Sequence, residues 1–593
     1  MVLADAELTE PERQLVLAAS NGELVDLRAG DAHLDHPSQV GRWEAARTVR
    51  ADLLTELLTG RRQSETGAVR AVKLAGARIT GVLDLEASRL ACPLLLDGCA
   101  VDQPINLVEA QAGAIRLPGS YVPGIAAGQL HTEGDLEFNY GFTASAAICL
   151  TGAHIGGRLD LSAANVTSPS GPAVDGDGLT VEQSMSANGL TAHGGVRLSG
   201  AHIGGRVGLD DARLNGAGGP ALDGDGLTVR LSMFCRHGFT AHGEVRLRTA
   251  QIGGQLNFIE ASLTNPGGRV LAALGLTVGQ DMFCHRLSTA EGEIRMTGAR
   301  IGGQLDFSGA SLTNPGGYAL AARGLTVGQD IEFTDGFTAE GQVQLQDAHI
   351  GGRLDLEGAS LANPGGQAVS LEGVTAAVLI LIPRTAPDGI VDLTNARVGS
   401  FYDNQASWPV RMRLRGFAYD KLENDATSVT DRVAWLGRSE GGYIPGLYDQ
   451  LAGAYRRAGH PEAARRIGVA KELRRRRELT WPGKAWNSLL YVTVGYGYRN
   501  WLAAVWLGAL LVLGSLVFAS AYPAHMHRAA PVVPSFQPVI YALDVLLPIV
   551  DLGQQQAWIP QGPALACSWL LTGTGWILTT AVVAGLTNAL KRD

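Results

Sequence analysis

No glycine-rich dinucleotide fingerprint stands between a strand and a helix in this chain, and there is no HExxH, Walker lysine loop or GxSxG elbow. Hydride transfer and hydrolysis therefore have no visible seat. The six cysteines show no paired spacing such as CxxC, so neither a zinc site nor a disulfide framework is indicated. Cys235 and Cys284 fall one repeat apart, with Ala187 and Phe333 at the neighbouring equivalents. That exchange of small and apolar groups marks a core column. The opening MVLADAELTEPERQ has no apolar signal core, which predicts a cytosolic location for the bulk of the chain. A formal net charge of −9 argues against nucleic acid as a partner.

What the chain has in excess is glycine, 77 of 593 residues, and a repeated phrase. IGG[RQ] followed by an apolar pair begins at Ile155, Ile203, Ile252, Ile301 and Ile350, in steps of 48 or 49 residues. GLTV begins at Gly178, Gly226, Gly275 and Gly324, and NPGG at Asn265, Asn314 and Asn363. A fixed period of this length signals a repeat architecture. Within it, Leu305/Phe307 and Ala310/Leu312 alternate with polar or small residues, five residues apart, and Val343/Leu345 with Ala348/Ile350 do the same. Alternation at two residues, interrupted by glycine, predicts very short strands joined by tight turns. This grammar resembles a degenerate pentapeptide repeat. It predicts a mainly β fold, a right-handed parallel β-helix with two rungs per period. At roughly 24 residues per rung, about 14 rungs make a rod of roughly 65–70 Å. Leu305, Phe307, Leu312, Ile331, Phe333, Val343, Leu345 and Ile350 are assigned inward.

Three outward columns carry polar groups: Asp160, Gly208, Asn257, Asp306 and Asp355; His154, His202, Gln251, Arg300 and His349; and His193, His242, Glu291 and Glu340. The exchange of Asp for Gly reads as a tolerant solvent-facing position, so no catalytic or metal residue is assigned.

Residues 1–66 read as an N-terminal helical cap, with Trp43, Val49, Leu53, Leu54, Leu57 and Leu58 on a helical period over Arg42 to Thr59. The coil is assigned to 67–425. Residues 426–485 read as a basic helical hairpin broken at Gly459 and restarted by Pro461. Its run Arg474, Arg475, Arg476 and Arg477 is a candidate contact for anionic lipid head groups. Residues 486–593 read as a membrane domain with two transmembrane helices, about 501–522 and 565–590. Between them, 536–552 is apolar but short and holds Asp544 and Asp551, which predicts a re-entrant or interfacial segment. On a continuous helix those acids would share a face, but Pro548 between them predicts a kink or an end to the helix, and both acids are expected to touch water or the loop bases His525, His527 and Arg528. Lys and Arg flank the outer ends of the two spans and only Arg528 lies between them, which predicts cytosolic termini in a plasma-membrane protein.

RTVRADLLTELLTG, VKLAGARITGVLDL, WPVRMRLRGFAYDKL, YDQLAGAYRRAGH, VGYGYRNW and YALDVLLPIVDLGQ together resemble a family of actinobacterial membrane proteins. Members often carry the label "membrane-associated oxidoreductase", and the resemblance covers essentially the whole chain. It implies a redox activity, without naming a cofactor. Three functions stay open at this level. The foremost is a membrane-anchored cytosolic β-helix scaffold or sensor that binds lipid and a protein partner. The others are the oxidoreductase that the label implies, and a homo-oligomeric ion channel regulated by the coil.

Overall fold

The computed structural model describes residues 8–62, 68–423, 427–476, 479–497, 501–547 and 549–590. The chain divides into two compact units, Met1–Thr427 with Arg438–Glu440, and Ser428–Gly437 with Gly441–Asp593.

The first unit is a parallel β-solenoid of about 15 turns. Its strands form two parallel sheets of 28 and 23 strands. Most strands are two or three residues long, because a corner follows every fifth residue or so. One ladder pairs His154 with Thr180, Thr180 with His202, His202 with Thr228 and Thr228 with Gln251. Turns of 26 residues thus alternate with turns of 22 or 23. The longer turns carry an extra loop, and in three of them that loop is NPGG.

Alternation decides what lies inside. Leu305, Phe307, Leu312, Ile331, Phe333, Val343 and Leu345 are fully buried, and Ile350 is 5% exposed. Phe307 stacks on Phe333 with ring centroids 5.7 Å apart, so aromatic side chains follow the strand ladder inside the coil. Cys235 and Cys284 are buried free thiols in the same interior.

The IGG phrase turns the corner. A Cβ at Gly302 would overlap the carbonyl oxygen of Gly279 one turn below, and one at Gly303 would overlap Asp281 Oδ1. That vacancy lets Asp281 reach up and accept the amide of Gln304 at 3.0 Å. Asp135, Ser184, Ser232 and Asp330 do the same for Arg158, Arg206, Gln255 and Arg353. NPGG closes differently. The Asn265, Asn314 and Asn363 side-chain amides donate to the carbonyls of Arg269, Tyr318 and Gln367, four residues on, at 2.7–2.8 Å. Gly267, Gly316 and Gly365 supply the left-handed backbone that this loop requires.

The N-terminal segment departs from the all-helical expectation. Helices α1 (Glu10–Asn21) and α2 (Ala51–Leu58) are present. Between them, Leu24–Asp26 pairs in parallel with Lys73–Ala75, and Thr48–Arg50 pairs with Arg78–Thr80. The helical period over Arg42 to Thr59 is therefore realised as α-helix only from Ala51, with a short 3-10 turn at Ala45–Arg47. The first regular turn offers an open edge of backbone donors and acceptors, and Thr48–Arg50 satisfies it as a strand. Glu12, with 1% of its side chain exposed, ties α1 to that strand through the Arg50 amide and guanidinium.

The second unit is helical. It contains α3 (Val429–Leu436), α4 (Pro445–Arg457), α5 (Pro461–Arg475), α6 (Trp481–Val494), α7 (Trp501–Ala521), α8 (Pro538–Leu546), α9 (Gln554–Ala557) and α10 (Pro563–Leu590). Gly459, at φ +82°, separates α4 from α5, and Pro461 opens α5 where its missing N–H is harmless. Among the described residues one helix, α7, is long and apolar enough to cross a membrane, judged by length and composition. Only 17% of its apolar stretch is buried. A core of Phe518, Tyr541, Ala542, Val545, Leu546 and Leu571 joins α7, α8 and α10.

Candidate functional sites

On the coil, the ladders bring each polar column together along the rod. Asp160, Gly208, Asn257, Asp306 and Asp355 do lie on one line, with Ser186, Phe234, Phe283 and Glu332 on the turns between them. The line is not the open surface expected from sequence. Asn257, Asp306 and Asp355 are only 4–8% exposed. Each accepts the amide two residues on: Asp160 from Ser162, Asn257 from Ile259, Asp306 from Ser308 and Asp355 from Glu357, at 2.7–3.0 Å. At Gly208 the Asn188 side chain fills the vacant space and accepts the amide of Asp210 instead. The column therefore caps turns. Sequence reasoning missed this because the substitute group comes from the turn below.

Glu332 sits between Asp306 and Asp355 on the ladder, with Arg353 reaching it at 3.5 Å and Asp355 at 3.7 Å. Burial pushes the Glu332 pKa up, the charge of Asp306 adds to this, and Arg353 opposes it. In the second column, the His131 and His154 rings stack with centroids 4.8 Å apart, and His154 approaches Glu182 at 3.7 Å. The third column alternates His193, Asn215, His242, Thr264 and Glu291. These groups run along the rod and do not converge. Among the described residues, no group of three or more His, Cys, Asp or Glu is arranged to hold a metal ion. Burial holds the Cys99 thiol at about 12 and raises that of Cys235 as well, so both behave as core residues.

Among the described residues, cavities on the first unit include the following two. One, of about 280 Å³, opens between loops containing Ser168–Pro172 and Gly216–Pro220, over Gly194, Arg197 and Asp223. The other, of about 370 Å³, lies between His36, Pro37 and Val40 and the coil residues Gly119, Tyr121 and Thr143. His36 and Ser38 are 2.8 Å apart there, and Tyr121 and Ser145 are 3.1 Å apart. Neither holds a nucleophile with a base oriented by a third group.

In the helical unit, α8 enters between α7 and α10. Ala542 lies against Gly514 of α7, and the Leu546 carbonyl packs so closely on Gly575 that a Cβ there would overlap it. Gly575 lies roughly 18 Å along α10 from Pro563, at 1.5 Å per residue. Asp544 is buried, and it accepts the amides of Leu552 and Gln555, both at 2.8 Å. The chain thus turns back after Leu546 and returns beside α8. Gln554 closes the far end by hydrogen bonds with Gln537 and Ser535. Tyr522, Phe536 and Trp558 pack around that end, with Arg528 over the Trp558 ring.

This arrangement separates the two acids. They share no helix face, because α8 ends at Leu546; Pro548 lies outside the described residues. The hydrogen-bond partners of Asp544 are backbone amides, not His525, His527 or Arg528. Asp551 is exposed and accepts the Gly553 amide at 2.9 Å and the Gln556 side chain at 3.2 Å. Of the basic run, Arg474 is half-buried, Arg475 is exposed and pairs with Glu472 at 3.5 Å, and Arg476 is exposed. Arg477 lies outside the described residues. No protein-family model, curated protein or solved structure matches the chain.

Proposed function

We propose that this protein is a membrane-anchored scaffold whose β-helix presents a regular surface to a macromolecular partner, as a binding platform or sensor. One observation carries the anchor: many apolar side chains of α7 and α10 face outward. Val505, Val512, Leu513 and Leu516 on α7 are 55–65% exposed, and Trp569, Leu570, Trp576 and Ile577 on α10 are 56–70% exposed. An apolar exterior on two uncharged helices of 21 and 28 residues calls for lipid. The pair would form a two-span hairpin, with Arg474, Arg475 and Arg476 beside anionic head groups on the Arg-rich side. The partner surface is the coil, where loops on alternate turns repeat about every 10 Å at the spacing of stacked strands. Such a surface suits an extended or repetitive protein partner.

The anchor is tested on the full chain by alkaline carbonate extraction of native membranes. Retention in the membrane pellet is expected, and release into the supernatant would remove the anchor. The scaffold is tested by assaying purified protein for bound flavin, nicotinamide, haem and metal. A stoichiometric cofactor would replace it with the oxidoreductase that the family resemblance implies.

A further inference from the structure

We infer that the cavity over Gly194, Arg197 and Asp223 is a binding site for a small apolar α-amino acid, whose carboxylate meets Arg197 and whose ammonium meets Asp223. This site belongs to the coil alone and does not depend on the anchor proposed above.

The cavity follows from a change in the repeat. Wide loops occupy the same place in successive units at 168–172, 216–220, 265–269, 314–318 and 363–367. In the last three, the first residue is the Asn that closes the loop, and the fifth is Arg269, Tyr318 or Gln367. Side chains at that fifth position reach the turns beside them. Arg269 lies 3.6 Å from Glu244 and 3.9 Å from Glu293, and Gln342 donates to Gln367 at 2.9 Å. In the first two loops the closing Asn gives way to Ser168 and Gly216, and the fifth residue is Pro172 or Pro220. On the strand between them, Gly195 stands where Glu244, Glu293 and Gln342 stand in later units. None of these residues has a side chain long enough to bridge the two loops, and a cavity of about 280 Å³ opens there.

The charges that line it are also particular to this place. Asp223 occupies the position held later by Ala272, Ala321 and Ser370. Arg197 and Asp223 are neighbours on the strand ladder, yet no ion pair joins them. Arg197 donates to Asp175 at 3.2 Å, its one side-chain hydrogen bond among the described residues, and Asp223 Oδ2 comes only within 4.0 Å of Arg246. The two side chains are 43% and 19% exposed. A guanidinium with unused donors and a carboxylate with an open oxygen thus rise from strands about 4.8 Å apart. A ligand that carries both charges on one carbon satisfies both groups. An anion alone would be repelled by Asp223, and a cation alone by Arg197. Pro169, Pro172, Val196, Ala217 and Pro220 give the rest of the lining an apolar character suited to a short aliphatic side chain. The volume falls below the roughly 300–1,000 Å³ of sites for drug-sized ligands, which limits the occupant to a small molecule.

The test is isothermal titration calorimetry on purified full-length protein with alanine, valine, proline and leucine. Saturable binding of at least one of them, at one site per chain, is expected. Its decarboxylated and deaminated analogues (isobutylamine and isovalerate for valine) should bind about tenfold more weakly or not at all, the scale of one charge-assisted hydrogen bond. Arg197→Gln and Asp223→Ser should weaken binding by a similar factor. Pro220→Gln should do so by filling the cavity. These three substitutions install the residues that Gln344, Ser370 and Gln367 already place at the same positions of later units, so thermal midpoints close to wild type are expected. No saturable binding of any of the four amino acids would overturn the inference. So would an analogue that binds the wild-type protein as tightly as its parent, a comparison that needs no variant. Binding that all three folded variants retain unchanged would place the ligand elsewhere and overturn it as well.

Discussion

At the scale of single residues, the repeated phrases are solutions to stacking, and each makes a measurable demand. Gly302 faces a backbone carbonyl that cannot move without shifting the turn below, whereas Gly303 faces the flexible end of Asp281. Gly302→Ala should therefore lower the thermal midpoint of the full chain more than Gly303→Ala. The latter should cost about 1–3 kcal/mol, the scale of leaving the Gln304 amide unsatisfied. Equal shifts for the two variants would refute this account of the corner. Glu332 makes a second demand. Its carboxyl sits above the ordinary value of 4.5 through burial and then the charge of Asp306. A raised folded-state pKa gives stability that is present below the unfolded value and lost as pH rises through the folded one. Glu332→Gln should thus raise the unfolding midpoint at pH 7 and give no advantage below about 4.5, measured by thermal scans across that range. An advantage that persists in acid would show that its cause is not ionisation. The inward register, from Leu305 to Ile350, was legible from alternation alone. The groups that serve the corners were not: Asp281, Asp330 and Asn188 act on amides 22 or 23 residues later, and only the ladder brings them there.

At the scale of elements, sequence patterns were clear where one physical force decides and ambiguous where two compete. The α4/α5 hairpin follows from Gly459 and Pro461. In the N-terminal segment, Val49 fits both the helical period that continues into Leu53 and a strand, and the open edge of the coil selects the strand. Burial alone would raise the Glu12 pKa, but the Arg50 side chain and the amides of Thr9 and Arg50 bring it to about 2 from an ordinary 4.5. A depressed carboxylate contributes stability above its unfolded value, and the contribution is lost as pH falls from about 4.5 toward about 2. Glu12→Gln should therefore destabilise the cap at neutral pH, seen as faster hydrogen exchange in peptides covering 10–50. The gap to wild type should narrow as pH is lowered through that window. A gap that is constant with pH would mean that packing, not charge, ties α1 to Thr48–Arg50. The short segment before Leu552 was legible as too short and too acidic for a span. A re-entrant course was one of the two expectations for it, but the contacts that turn it were not legible, because Asp544 folds the chain back through amides eight and eleven residues ahead, which no local pattern announces.

At the scale of the whole molecule, a coil in which each turn touches mainly its neighbours gains stability turn by turn. Its two ends are where it needs help; the N-terminal end receives α1, α2 and the strands beside them. The second unit differs in that, beside its buried core, α7 and α10 carry many exposed apolar side chains, which the proposed anchor would place in lipid. On the proposed anchor, the distribution of positive charge would set its orientation in a bilayer. Arg474 to Arg477, Lys484 and Arg499 precede α7, Lys591 and Arg592 follow α10, and Arg528 alone lies between. Cationic flanks are retained on the cytoplasmic side. With two spans, a reporter fused after Asp593 should be cytosolic, and one inserted near His527 should be external. Because the α8 segment turns back after Leu546, it adds no crossing, and the two ends of the chain should stay on one side. Alkaline phosphatase and fluorescent-protein fusions at both positions in the same cells measure this directly. A cytosolic His527 reporter would mean that α7 does not cross, and the exposed side chains of α7 and α10 would then need a protein partner instead of lipid. An external Asp593 reporter would mean an odd number of crossings, and the segment from Phe536 to Leu552 would have to straighten into a third.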